Sequence, residues 1–198
     1  MIKIYHAPRS RSSRIIWLAE ELGERYEIEL VPIKRGDGTG ESAPDSYRAI
    51  HPHKKVPAIE HDGWIVYESA AIVLYLTDTF QRIALGPTVG EWDRANYVTW
   101  LFYYSSVIEP AITAHFAKID AAANGFVPWE EVEKRIAAAL ETGPYIMGER
   151  FTGVDILIGS MVMFLKGSLM PANKVYDEYL ARIIERPAFK RAQEKDNG

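Results

Sequence analysis

The sequence predicts an α/β domain followed by an all-helical domain. Three observations carry this. Period-two and period-3.6 apolar patterns alternate through the first 80 residues. Asp62-Gly63 is a strong hairpin signal between two short apolar runs. From about Glu91 onward the strand pattern disappears and only helical spacing remains. The expected division is 1–80 as the first domain, 81–90 as a linker containing Gly86-Pro87, and 91–198 as the helical domain.

Taken in order, Ile2 and Ile4 alternate with polar neighbours as in a short strand, and a polar loop from Pro8 to Ser13 follows. Ile15, Leu18, Ala19 and Leu22 then share one helix face, with Gly23 suited to the position just past the helix end. Tyr26, Ile28 and Leu30 mark a second strand. A glycine-rich loop, Gly36 to Gly40, leads to a short helix near Asp45 to Ile50. Val56 to Glu60 and Trp64 to Tyr67 are expected as an antiparallel pair, with a helix over Ser69 to Phe80. The order β-α-β-α-β-β-α makes a small sheet covered by helices. In the second half, Trp92 to His115 is long and aromatic-rich, with Pro110 expected to kink or end a helix. Val132, Ile136 and Leu140 space as one helix face. Thr152-Gly153-Val154-Asp155 reads as a capping box before the apolar run Ile156 to Leu165. Val175, Tyr179 and Ile183 mark a further helix that stops before Pro187.

Composition narrows the function. The net charge is -4 without a basic block, which argues against nucleic acid, whose phosphates need clustered Lys and Arg. No apolar run reaches the ~18 residues of a membrane span. MIKIYHAPRSRSSR lacks the apolar core of a signal peptide, so the expected location is the cytoplasm. No His pair has metal spacing, and no metal is expected. There is no cysteine. Disulfides, thiolate ligands and a protein thiol nucleophile are excluded, and any sulfur chemistry must use a sulfur that the substrate brings.

Two motifs point to a ligand. Lys55-Val56-Pro57-Ala58-Ile59 puts a proline at the start of an apolar strand, where it removes a ladder donor. A cis bond there would turn the backbone N–H and C=O of Val56 outward, to receive a ligand as an added strand. Eleven residues later, Glu68-Ser69 stands where a helix begins. The free N–H groups and partial positive charge of a helix start suit a carboxylate, and Glu68 suits an ammonium group. A γ-glutamyl residue carries both on one carbon. The hairpin brings the two motifs together, so the pair is more specific than either alone.

The run His51-Pro52-His53-Lys54-Lys55-Val56-Pro57-Ala58-Ile59, then Trp64 to Tyr67, then Glu68-Ser69-Ala70-Ala71-Ile72 resembles the glutathione-binding half of bacterial-type glutathione transferases. Trp17 to Gly23 resembles that family's first helix, and Thr152 to Asp155 its capping box in the second domain. The resemblance implies a thioredoxin-like N-terminal domain followed by a helical C-terminal domain, a cis Pro57, and glutathione as co-substrate. It implies backbone bonds from Val56 to the cysteinyl part, Glu68 and Ser69 on the γ-glutamyl end, and Lys55 and His53 on the glycyl end. It also implies a two-fold homodimer.

Activation of the thiol needs a group that favours the thiolate, since a free thiol titrates at about 8.5. The loop Pro8-Arg9-Ser10-Arg11-Ser12-Ser13-Arg14 lies between the first strand and the first helix, where the family carries its Tyr, Ser or Cys. Ser10 is the first candidate and Ser12 the second. Tyr5 is expected to be a packing residue, and Arg9, Arg11 and Arg14 remain open as charge partners or solvated cations. A small apolar electrophile is expected between the domains, near Tyr97, Trp100, Leu101, Tyr104, Ser105 and Ile108, with His115 and Phe116 as further candidates. Lack of cysteine argues against disulfide exchange and dehydroascorbate reduction. Conjugation, a specific isomerisation or dehalogenation, peroxide reduction, and a non-catalytic glutathione-binding module stay open.

Overall fold

The computed structural model describes residues 1–196. Strands β1 (Ile2–His6), β2 (Tyr26–Leu30), β3 (Ala58–His61) and β4 (Trp64–Tyr67) form one sheet in the order β2-β1-β3-β4. β2 runs parallel to β1, while β3 is antiparallel to both β1 and β4. Helices α1 (Ser13–Leu22) and α2 (Ser69–Thr79) complete a thioredoxin-like domain. One boundary differs from the expected Val56–Glu60 strand. Pairing starts only at Ala58, after the cis Val56-Pro57 bond, so Val56 stands outside the ladder. The expected helix near Asp45 is a single 3-10 turn, Asp45–Ala49.

The chain forms two compact units. One contains residues 1–83 and returns at Arg186; the other is Ala84–Glu185. The first break falls between Ile83 and Ala84, and the second before Arg186, because helix α8 (Pro187–Asp196) packs on α1 in the first unit. This explains why α1 is buried beyond its single predicted apolar face. Ile16 and Trp17 are buried as well, and the Trp17 ring meets Phe189 of α8 edge-on at 5.0 Å. Arg186 of the same segment grips Glu21 with two bonds of 2.6 and 2.7 Å. Arg191 and Lys195 each donate to Glu20 at 2.6 Å, as does the Tyr26 hydroxyl. Burial pushes the Glu20 carboxyl up, but these donors outweigh it and hold it at about 2. Such a pair costs little once every charge is matched, and removing one partner would strand the other.

The second unit contains α3 (Arg94–Tyr103), α4 (Glu109–Phe116), α5 (Trp129–Glu141), α6 (Gly153–Leu165) and α7 (Lys174–Ile184). Pro110 does not break a helix at its own position. The chain widens into a π-turn over Tyr104–Ile108, where the Glu109 N–H bonds back to Tyr104. Pro110 then sits in the first turn of α4, where its missing N–H costs nothing. The capping box is present: Thr152 N–H donates to Asp155 Oδ2 at 2.8 Å, and Val154 N–H to Thr152 Oγ1 at 3.3 Å. Asp155 also accepts from Ile146 N–H and the Tyr179 hydroxyl, which ties α6 to α7. Burial lifts its carboxyl to about 6 despite these bonds.

Candidate functional site

The β3–β4 ladder ends at the Ala58–Tyr67 pair. One residue past it on each strand stand Pro57 and Glu68, followed outward by Val56 and Ser69. The hairpin register therefore brings the two motifs to one end of the sheet. The Val56-Pro57 bond is cis, as the resemblance implies. Val56 is buried, yet among the described residues its backbone N–H and C=O make no hydrogen bond.

Glu68 occupies the N-cap of α2 with φ 72 and ψ 122, and its side chain makes no cap bond. A non-glycine residue held there costs about 1–3 kcal/mol, and such strain clusters at ligand clamps. Ser69 is the first helical residue, one position past the N-cap, and is buried. The first bond of α2 runs from Ile72 N–H to the Glu68 carbonyl at 2.9 Å. The N–H groups of Ser69, Ala70 and Ala71 are thus left at the helix end, where the dipole favours an anion.

Lys55 is exposed, and its carbonyl accepts from the Tyr47 hydroxyl at 3.1 Å. His53 is exposed too, and its N–H donates to His51 Nδ1 at 3.2 Å. His51 itself is buried with its ring 5.0 Å from that of Tyr67. Burial pushes its pKa down, with Glu68 opposing. His51 thus fastens the Lys55 loop to β4.

The serine loop is organised differently. Ser10 is half-buried, while Ser12 is fully enclosed. Ser12 Oγ lies 2.8 Å from His6 Nδ1 and 2.8 Å from Ser10 Oγ, with Ala7 N–H at 3.1 Å and the Ala7 carbonyl at 3.3 Å. One hydroxyl has one donor and two acceptor positions, so Ser12 is saturated within the chain. Of the two serine candidates, only Ser10 is open to a ligand. Tyr5 is a buried residue whose hydroxyl donates to Glu60 Oε2 at 3.1 Å. Burial and that bond push its pKa up to about 12, which fits the packing role. Arg9 adopts φ 53, and its N–H donates to Asp196 Oδ2 at 3.2 Å. Arg35 fastens the same loop through the carbonyls of Pro8 and Arg9. Arg11 is exposed and Arg14 is buried on α1.

Sequence reasoning left His6 unassigned and did not reach Asp196 or Arg35. His6 had a signal: it continues the inward face of Ile2 and Ile4, so it had to be buried and to need partners. Asp196 had none, because it arrives from 187 residues away.

In the second unit Tyr97, Trp100, Leu101, Tyr104 and Ile108 are all buried, while Ser105, His115 and Phe116 are exposed. Arg135 lies over the Trp100 ring at 4.8 Å, and the Tyr104 hydroxyl donates to Glu109. Ser105 donates back to the Phe102 carbonyl. Among the described residues no cluster of three metal-ligating side chains occurs, and no helix is long and apolar enough to cross a membrane.

Residues 4–86 match the family model described as glutathione S-transferase, N-terminal domain. The first domain is thus similar to the N-terminal domain of glutathione S-transferases. A similar protein, glutathione S-transferase 3 of Schizosaccharomyces pombe, is 35% identical over 119 residues, 58% of this chain. The match spans 45% of that relative's length. A glutathione transferase of Methylococcus capsulatus shares the fold with a TM-score of 0.82, at 24% identity over 100% of this chain and 99% of its own. The theta class glutathione S-transferase of Xanthomonas axonopodis pv. citri, solved with glutathione bound, is 27% identical with a TM-score of 0.76, over 96% of each chain.

Proposed function

We propose that the protein binds reduced glutathione in its first domain and activates the thiol for attack on a small apolar electrophile. The observation that carries this reading is the strained Glu68 at the start of α2, beside buried Ser69 and the unpaired backbone of Val56. A fold has no reason of its own to keep a costly backbone angle, an uncapped helix end and an idle strand edge together. A γ-glutamyl peptide satisfies all three. Its α-carboxylate takes the Ser69 hydroxyl and the free N–H groups, its ammonium takes Glu68, and its cysteinyl backbone pairs with Val56. Lys55 and His53 hold the glycyl carboxylate.

Ser10 is the group that meets the sulfur. Its hydroxyl favours the thiolate by donating to it, and the chain offers no thiol of its own to compete. The electrophile takes the thiolate by substitution or addition. Assembly as a two-fold dimer belongs to the same reading, and light scattering should then give twice the 22.4 kDa of one chain.

The deciding experiment titrates glutathione bound to the protein by the ultraviolet absorbance of its thiolate, and follows conjugation with a panel of electrophiles. A thiol pKa well below that of free glutathione, with turnover of at least one electrophile, is the expected result. A bound thiol that ionises as in water would sink the catalytic claim.

A further inference from the structure

Ser10 is the outer end of a buried line of polar groups. Ser10 Oγ lies 2.8 Å from Ser12 Oγ, and Ser12 Oγ lies 2.8 Å from His6 Nδ1. On the far side of the ring, His6 Nε2 faces Asp196 Oδ1 at 3.4 Å. His6, Ser12 and Asp196 are 1%, 0% and 5% exposed. Among the described residues neither His6 Nε2 nor Asp196 Oδ1 has a hydrogen-bond partner. A carboxylate oxygen and a ring nitrogen that face each other, buried and without a hydrogen bond of their own, form a place prepared for a positive charge. Holding the Pro8–Arg14 loop does not require it, because Arg9 N–H on the other Asp196 oxygen and the two Arg35 bonds already do so.

We propose that His6 is the proton acceptor for the glutathione thiol, reached through Ser10 and Ser12 and backed by the carboxylate of Asp196. This rests on the glutathione site proposed above. At rest, burial holds the imidazole neutral although Asp196 pulls the other way. The relay uses the tautomer with the proton on Nε2, towards Asp196, in which Nδ1 accepts from the Ser12 hydroxyl. Ser12 in turn accepts from Ser10.

When the thiol meets Ser10, three protons move one place each. The S–H bond breaks as its proton passes to Ser10 Oγ. The Ser10 proton passes to Ser12, and the Ser12 proton forms the new Nδ1–H bond. Nothing is oxidised or reduced. One thiolate and one imidazolium appear, and Asp196 is the counter-charge for the latter. Every hydrogen bond in the line has now reversed, so the Ser10 hydroxyl points at the sulfur and donates to the thiolate it has helped to make. The same line thus serves first as a base and then as a stabiliser of the anion.

The test uses the full chain with Asp196→Asn, Asp196→Glu and His6→Asn. Three quantities are read at neutral pH: thiolate absorbance of bound glutathione, affinity for S-methylglutathione, which has no thiol proton, and kcat. Asp196→Asn should bind S-methylglutathione within about threefold of the unchanged chain, yet lose thiolate absorbance and drop kcat on the order of 100-fold. Asp196→Glu should restore most of both. If His6→Asn does not fold, Asp196→Asn carries the test alone, since Asp196 lies in the last turn of α8. Asp196→Asn that ionises glutathione like the unchanged chain would overturn the relay. So would equal losses in S-methylglutathione binding and ionisation, which would mark Asp196 as only a loop support. If the unchanged chain fails to bind S-methylglutathione, it is the glutathione site that falls, and the relay with it.

Discussion

The two halves of the candidate site solve opposite problems. At Val56 and Glu68-Ser69 the chain leaves polar groups unpaired and one backbone angle strained. In the Ser10–Ser13 loop every hydroxyl is cross-linked, and Ser12 has no capacity left. The first half waits for a ligand to complete it. The second is complete already and must be rearranged, not filled. Recognition and activation should therefore separate under mutation.

The largest expected effect is in the serine loop. Ser10→Ala should lower kcat on the order of 100-fold by removing the donor to the thiolate, with S-methylglutathione affinity nearly unchanged. Equal losses in both would merge the two halves again. In the other half, Ser69→Ala should weaken glutathione binding by about 10-fold or more, the worth of one hydrogen bond to a charged group, and leave kcat at saturation alone. Calorimetry together with saturation kinetics reads both. Glu68→Gly should raise the thermal midpoint, because relief of about 1–3 kcal/mol exceeds the ~0.5–1 kcal/mol entropic cost of glycine, while glutathione affinity falls. A lower midpoint would mean the backbone angle there is unstrained. The smallest effect belongs to exposed Lys55. Lys55→Ala should cost a few-fold in affinity at low salt, and the difference should fade as salt rises.

The clamp half was legible in the sequence because its parts are local. A proline opening a strand, a two-residue turn and a serine at a helix start all lie within Lys55 to Ser69, and the ladder register does the rest. The order of strands and helices was legible for the same reason, since each element announces itself by its own period. The activation half was not. Ser10 and Ser12 look alike as letters, and only burial tells them apart. The aromatic residues of α3 and the π-turn were named as pocket candidates by type alone, and type does not say that Tyr97 and Tyr104 are enclosed. The break near Pro110 was foreseen, but its form was not, because a π-turn depends on how neighbouring helices pack rather than on the proline.

Helix α8 sets the order in which the molecule can be finished. The first unit is built from the start of the chain and from residues that follow the whole of the second unit. During synthesis α1 therefore emerges with Ile16, Trp17, Glu20 and Glu21 uncovered, and stays so until Arg186 and the helix after it have left the ribosome. A fragment ending at residue 83 would have the sheet, the cis proline and Ser69, but not Asp196, Arg191 or Lys195. Such a fragment would keep both motifs of the hairpin and lose the side chains that α8 brings to α1 and to the serine loop. In this chain a helix made after the whole of the second unit is the one that closes the first domain.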